Sequence, residues 1–195
     1  MQLIGSLTSP FVRVIRVLCA ELGLEYDFKI MPPFAKMSEE EKTFIRKINP
    51  LMKIPVLVDG EQNIMESRII AYYLMRKKSV PDLSIEEENS LSIINGAIDA
   101  AVLRYIMAID QDRVDMDHAY LKKSHERIVT SLNYLNGQNW PKDRFGLCEI
   151  SLMCMLLWFE KRKLFDWRPY KTLVEVYERC KDRPSLVSTA IPDNA

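Results

Sequence analysis

Between Met1 and about Met75 the spacing of apolar residues switches repeatedly between the strand and helix periods. "QLIG", Gln2 to Gly5, reads as a short strand, and behind it Phe11, Val14, Ile15, Leu18, Cys19 and Leu22 recur at the spacing of one buried helical face. Pro10 suits the first turn of that helix, Ser9 its N-cap and Gly23 its stop. Tyr26, Phe28 and Ile30 alternate with polar neighbours as in a strand. Ser38 and Glu41 have capping-box spacing, which predicts a helix stopping at Asn49-Pro50. "IPVLV" and the segment around Ile64 flank Asp59-Gly60, the signal of a tight hairpin. Ser67 is placed to cap a helix through Ile69, Ile70, Tyr73 and Leu74. The predicted order is βαβαββα.

From Ser84 onward only the helical period remains. Ser84 and Glu87 form a second capping box, and Leu91, Ile94, Ile98, Ala101, Val102, Tyr105 and Ile109 fall near one face of a long helix running to Asp110. Further helices are predicted from about Asp117 to Asn136, stopped by Gly137, from Leu147 to about Leu164, and from Pro169 to before Pro184. The chain therefore divides into an α/β domain over residues 1–76, a linker at 77–83 where charge, proline and the change of period coincide, and an all-α helical domain over residues 84–195.

Composition narrows function more than fold. Twenty-seven basic residues balance twenty-seven acidic ones, so no net field draws the chain to nucleic acid or to an anionic membrane, and neither is expected as a partner. Cys19, Cys148, Cys154 and Cys180 lack metal-ligand or CxxC spacing and read as reduced core residues of a cytoplasmic protein. His118 and His125 sit on a polar segment without acidic or cysteine partners at ligand spacing, so no metal is expected. No signal peptide is evident, and the apolar window "ISLMCMLLWF" is about half of what a bilayer crossing needs.

Several stretches carry a resemblance over nearly the full length. "NPLMKIPVLVDG" resembles the segment of the glutathione transferases in which a cis proline opens the third strand, and "MESRIIAYYL" resembles the Glu/Asp-Ser segment that begins their third helix. "DAAVLR" and "DRPSLVSTAIP" look like a bacterial branch of that superfamily. The resemblance implies a thioredoxin-like first domain, bound glutathione as co-substrate, a homodimer and a role in detoxification. Read from the residues alone, Pro55 is compatible with a trans edge-strand proline or a cis bond. The resemblance favours cis, with the backbone of Ile54 turned toward an extended peptide. It also implies that Ser67 binds the γ-glutamyl carboxylate as helix starts bind anions, that Glu66 pairs with the ammonium, and that Lys53 meets the glycyl carboxylate. Met52 stands where the family often has glycine.

The same comparison gives "TSPF" its chemistry. Redox relatives carry cysteine directly before this proline, whereas here the position is Ser9, so a mixed disulfide cannot form and a hydroxyl instead donates to a ligand thiolate. Ser9 is the first candidate for that donor and Thr8 the second. Arg13 and Arg16 extend the positive environment or are structural. An electrophile pocket between the halves is expected to involve Phe11, Arg104 and Tyr105, each with an alternative reading as a packing or surface residue. Gly146 and Glu149 match a capping motif of the family whose usual Ser/Thr and Asp are replaced. The expected function is a glutathione transferase acting on a small electrophile or peroxide; the alternatives are a non-catalytic interaction or regulatory protein on the same fold, and a glutathione-dependent isomerase or dehalogenase.

Overall fold

The computed structural model describes residues 1–33, 36–109 and 115–193. In chain order the elements are β1 (Gln2–Gly5), α1 (Pro10–Glu21), β2 (Asp27–Ile30), α2 (Glu39–Ile48), β3 (Val56–Asp59), β4 (Gln62–Met65), α3 (Ser67–Lys77), α4 (Ile85–Ile109), α5 (Ala119–Asn136), α6 (Leu147–Arg162), α7 (Lys171–Cys180) and α8 (Pro184–Ser188). They fall into two compact units, Met1–Asp82 with Asp182–Ala195, and Leu83–Lys181.

The first unit is the expected α/β sandwich. Its sheet has the order β2-β1-β3-β4, with β1 parallel to β2 and antiparallel to β3. Side-chain alternation gives the sheet two apolar faces. Ile4 and Val56 pack with Met31, Met37 and Ile45 on the side covered by α2. The paired, fully buried Leu3 and Leu57 point to the other side, where α1 and α3 stand. On that side Gly5 meets Val12 of α1 so closely that an added Cβ would lie 2.5 Å from Val12 Cγ2.

Local chemistry explains the element ends. Ser9 Oγ accepts the Val12 N–H at 3.3 Å, with Pro10 in the first turn, and Ser38 and Glu41 complete their reciprocal cap. Three expectations shift. Ile30 is 58% exposed rather than inward, because β2 is an edge strand. The hairpin turn is Gly60-Glu61, since Asp59 still pairs with Gln62, and Gly60 has φ +59. Ser67 is the first residue of α3, and the cap position belongs to Glu66.

The terminal segment assigned by sequence to the helical domain belongs to the first unit, because Pro184 opens α8 and that helix is bonded to α1. Buried Arg13 donates to the Leu186 carbonyl at 3.0 Å, and Arg16 donates to the Thr189 carbonyl at 3.4 Å. Arg183 grips the Glu21 carboxylate through Nε and Nη2, and Ser185 donates to it as well. Burial pushes the Glu21 carboxyl up, yet the hydrogen bonds from Arg183 and Ser185 and the guanidinium charge outweigh burial and hold it below its ordinary value. A depressed carboxyl contributes stability above its unfolded pKa of about 4.3 and loses it as pH falls through the folded value. Urea unfolding should therefore show wild type more stable than Glu21→Gln at neutral pH, with the gap closing below about pH 4. A gap that persists undiminished at pH 3 would assign the difference to packing.

In the second unit α4 packs on α5 and α6, and α7 packs on α5 and α6. The core is α6, buried nearly all round from Leu147 to Phe159. Glycine at its cap position leaves only half a capping box, in which the Gly146 N–H donates to Glu149 Oε2 at 2.9 Å. Arg144 then bridges the buried Glu149 and Glu87, tying the starts of α6 and α4 together. α4 is capped by Ser84 and Glu87 as expected, but Ile109 is 70% exposed, beyond the stretch whose buried face ends at Ala101; Asp110 lies outside the described residues. Among the described residues, α4 rather than the α6 window is the helix long and apolar enough, by length and hydropathy alone, to cross a membrane. α5 begins two residues later than predicted, with exposed His118 as its cap accepting the Tyr120 N–H.

Candidate functional site

Strand register sets the site. Ile4 pairs with Val56 and Val56 with Met65, so these three residues form one row across β1, β3 and β4. Adjacent strands stand about 4.8 Å apart, so the three chain segments beyond this row open within about 10 Å of one another. They are the β1–α1 loop with Thr8 and Ser9, the segment Lys53-Ile54-Pro55 entering β3, and Glu66-Ser67 leaving β4.

The β1–α1 loop is fastened internally. The Ser9 N–H donates to the Ser6 carbonyl at 3.2 Å, and the Ser6 and Thr8 hydroxyls lie 2.9 Å apart. Ser6 is buried whereas Thr8 and Ser9 are half-buried. By accepting the Val12 N–H, Ser9 Oγ uses a lone pair and keeps its proton for donation. Arg13 and Arg16, one turn on, are occupied by the α8 segment, which decides for their structural reading.

The second segment is organised by Asn49, a residue the sequence marked only as a helix stop. It is completely buried. Its Oδ1 accepts the Leu51 N–H at 3.0 Å and its Nδ2 donates to the Lys53 carbonyl at 2.8 Å. Its own carbonyl accepts the Met52 N–H at 2.9 Å. Met52 takes φ +54, a left-handed conformation that glycine enters without cost, and its side chain packs on the same apolar cluster as Ile54. The Ile54–Pro55 bond is cis. Pro55 is buried, Ile54 half-buried and the Lys53 side chain exposed.

The third segment holds the least ordinary backbone. Glu66 has φ +67 and ψ 128, outside the regions a non-glycine residue normally occupies, a conformation costing about 1–3 kcal/mol that persists mainly at functional sites. It leaves the Glu66 carboxylate exposed and sets the Ser67 N–H and hydroxyl at the start of α3, where N–H groups lack intrahelical acceptors. The periodic pattern carried no sign of this twist.

Three candidates remain. Phe11 is half-buried in the first turn of α1. Arg104 and Tyr105 lie in the helical unit, where Arg104 donates to the Leu121 carbonyl and Tyr105 meets the Trp158 ring edge-on at 5.6 Å with the Arg162 guanidinium over its own ring. A cavity of about 70 Å³ in that unit, bordered by Arg144, Cys148 and Glu149, holds none of the predicted site residues. Among the described residues no cluster of His, Cys, Asp or Glu has the makings of a metal site.

Comparison with known proteins accords with this geometry. Residues 3–82 match the family described as glutathione S-transferase, N-terminal domain. Along 98% of its length the chain is 27% identical to the GST-like protein YibF of Escherichia coli, covering 99% of that protein. It is 25% identical to a probable maleylacetoacetate isomerase of Caenorhabditis elegans, over 92% of this chain and 87% of that protein. Among solved structures, a glutathione S-transferase of Methylobacillus flagellatus with glutathione bound superposes with a TM-score of 0.83, at 26% identity over 98% of this chain and 99% of that one. Residues 3–82 thus match the glutathione S-transferase N-terminal domain, and over nearly its full length the chain is similar to glutathione transferases.

Proposed function

We propose that this chain binds glutathione across the end of the first unit's sheet and uses the glutathione thiolate on a small electrophile or a hydroperoxide. The observation that carries the reading is the row Ile4, Val56 and Met65, which brings the Ser9 helix start, the cis Ile54–Pro55 bond and the Glu66-Ser67 helix start to one sheet end. The glutathione-bound Methylobacillus relative supports it. Ser67 receives the γ-glutamyl carboxylate on its N–H and hydroxyl, Glu66 faces the ammonium, the Ile54 backbone pairs with the peptide, and Lys53 meets the glycyl carboxylate. Ser9 donates to the sulfur. A free thiol has a pKa of about 8.5, and a charge-assisted hydrogen bond together with the α1 N-terminus supplies roughly 2–3 kcal/mol, enough to ionise much of the bound thiol at neutral pH.

The test is calorimetric titration with glutathione. Wild type should bind, and Ser67→Ala should bind about ten-fold more weakly, the loss of one hydrogen bond to a charged group. No binding by folded wild type would leave the non-catalytic interaction protein as the better reading. Ser9→Ala should lower the conjugation rate by about ten-fold, a transition-state loss of ~1.4 kcal/mol. Because Ser9 is also a cap, Ser9→Asp separates the roles: it should keep the helix and lose the rate. If Thr8→Ala abolishes conjugation while Ser9→Ala spares it, the donor is Thr8.

The Caenorhabditis relative favours a second reading, an isomerase that shares the glutathione site and differs in its other substrate; turnover of an electrophilic olefin without net consumption of glutathione would select it. The proposal extends to a cytoplasmic homodimer acting in detoxification. Ile85, Ile106 and Ile109 of α4, each more than half exposed, support a second copy as partner, which sedimentation velocity tests.

A further inference from the structure

Ten methionines and four cysteines are distributed through this chain. All four cysteines are buried, and burial pushes the Cys19 and Cys148 thiols up to about 12, which removes the thiolate that oxidants attack. Met31, Met37, Met75, Met153 and Met155 are buried too. The sulfur-bearing residues that are not buried are therefore methionines: Met1, Met52, Met65, Met107 and Met116. Two of these five adjoin the glutathione segments. Met52 precedes Lys53-Ile54 in the loop that Asn49 organises, and Met65 ends β4 directly before Glu66. Both side chains pack, with Ile54, against the same cluster of Ile4, Met31, Met37, Ile45 and Val56.

We propose that Met52 and Met65 form an oxidation site through which hydroperoxides weaken glutathione binding, an inference that rests on the glutathione reading above. In the reaction the thioether sulfur attacks the peroxide's terminal oxygen. The S–O bond forms as the O–O bond breaks, sulfur gives up two electrons, and the peroxide's proton passes to the departing oxygen, leaving sulfoxide and alcohol, or water from hydrogen peroxide. A sulfoxide is polar where the thioether was apolar, so it leaves the cluster for solvent. The departure strips packing from the cluster on which Ile54 also rests and from the strand end that leads into Glu66, two of the three segments that converge on the ligand. A peroxide load beyond what the thiolate removes would thus lower the affinity for glutathione.

The experiment treats the full chain with graded hydrogen peroxide, locates the added oxygen by peptide mass spectrometry and titrates glutathione calorimetrically before and after. The expected result is about five- to ten-fold weaker binding that tracks conversion at Met52 and Met65 and is restored by methionine sulfoxide reductase. The double variant Met52→Leu/Met65→Leu, compared with its own untreated baseline, should lose the peroxide response, and Met107→Leu/Met116→Leu should keep it. Full conversion at Met52 and Met65 with unchanged affinity overturns the proposal, as does resistance of these two at doses that convert Met107 and Met116, or a response that survives in the first double variant. Should that variant bind poorly from the start, reversal by the reductase in wild type still decides. Failure of untreated wild type to bind glutathione is a distinct result that removes the functional reading itself.

Discussion

Asn49→Ala is expected to cost about 1–3 kcal/mol of stability, because it deletes the two hydrogen bonds made by a fully buried amide. The Leu51 N–H and the Lys53 carbonyl both depend on the Asn49 amide, which is fully enclosed. The damage should reach function as well, since the residues held are those that deliver Ile54 and Pro55 to the start of β3. Urea denaturation should show a lower midpoint with an unchanged slope, and glutathione titration under fully native conditions should show weaker binding. An unfolding free energy within about 0.5 kcal/mol of wild type would mean the loop is held by its other contacts.

The second large effect is expected at Gly5. An alanine Cβ there would lie 2.5 Å and 2.8 Å from the two methyl carbons of Val12. Val12 cannot turn aside, because a β-branched side chain has one favoured rotamer in a helix and this one is fully buried. The first turn of α1 must retreat instead, at a cost of about 2–3 kcal/mol. Val12→Ala removes the obstructing methyls and by itself costs about 2 kcal/mol in lost packing. The double variant should be more stable than the sum of the single changes by at least about 1 kcal/mol, the sign of a shared contact. Additive costs would show that the clash is relieved elsewhere. Because Ser9 caps α1 through the Val12 N–H, Gly5→Ala should also disturb the thiolate donor, and Val12→Ala in combination should recover part of the rate.

Gly5 and Asn49 mark the boundary of what could be read from the chain. Periodicity and cap spacing located α1, α2, α4 and the β3–β4 hairpin, because each is dictated by side chains near in sequence. Ser9 was recognisable as a cap for the same reason. The close approach of Gly5 to Val12 depends on how tightly a helix lies on a strand, which no local pattern records. Asn49 looked like a helix stop because its partners, Leu51 and Lys53, are backbone groups carrying no sequence signature. Glu66 took the cap position from Ser67 by adopting a backbone conformation that propensity gives glutamate no reason to enter. Arg13 and Arg16 were ambiguous until their acceptors, the carbonyls of Leu186 and Thr189, came into contact from more than 170 residues away.

That distance has a consequence for biosynthesis. The strands of the first unit precede the second unit in the chain, so α1 lacks α8 until the whole of the second unit has been synthesised. Until then the Glu21 carboxylate has neither Arg183 nor Ser185, and the Arg13 guanidinium waits for the Leu186 carbonyl. Domains generally fold as units during synthesis. Here the first unit is completed only after the second has been made, so a nascent chain stalled before Pro184 should carry a protease-sensitive α1 that extension past α8 protects.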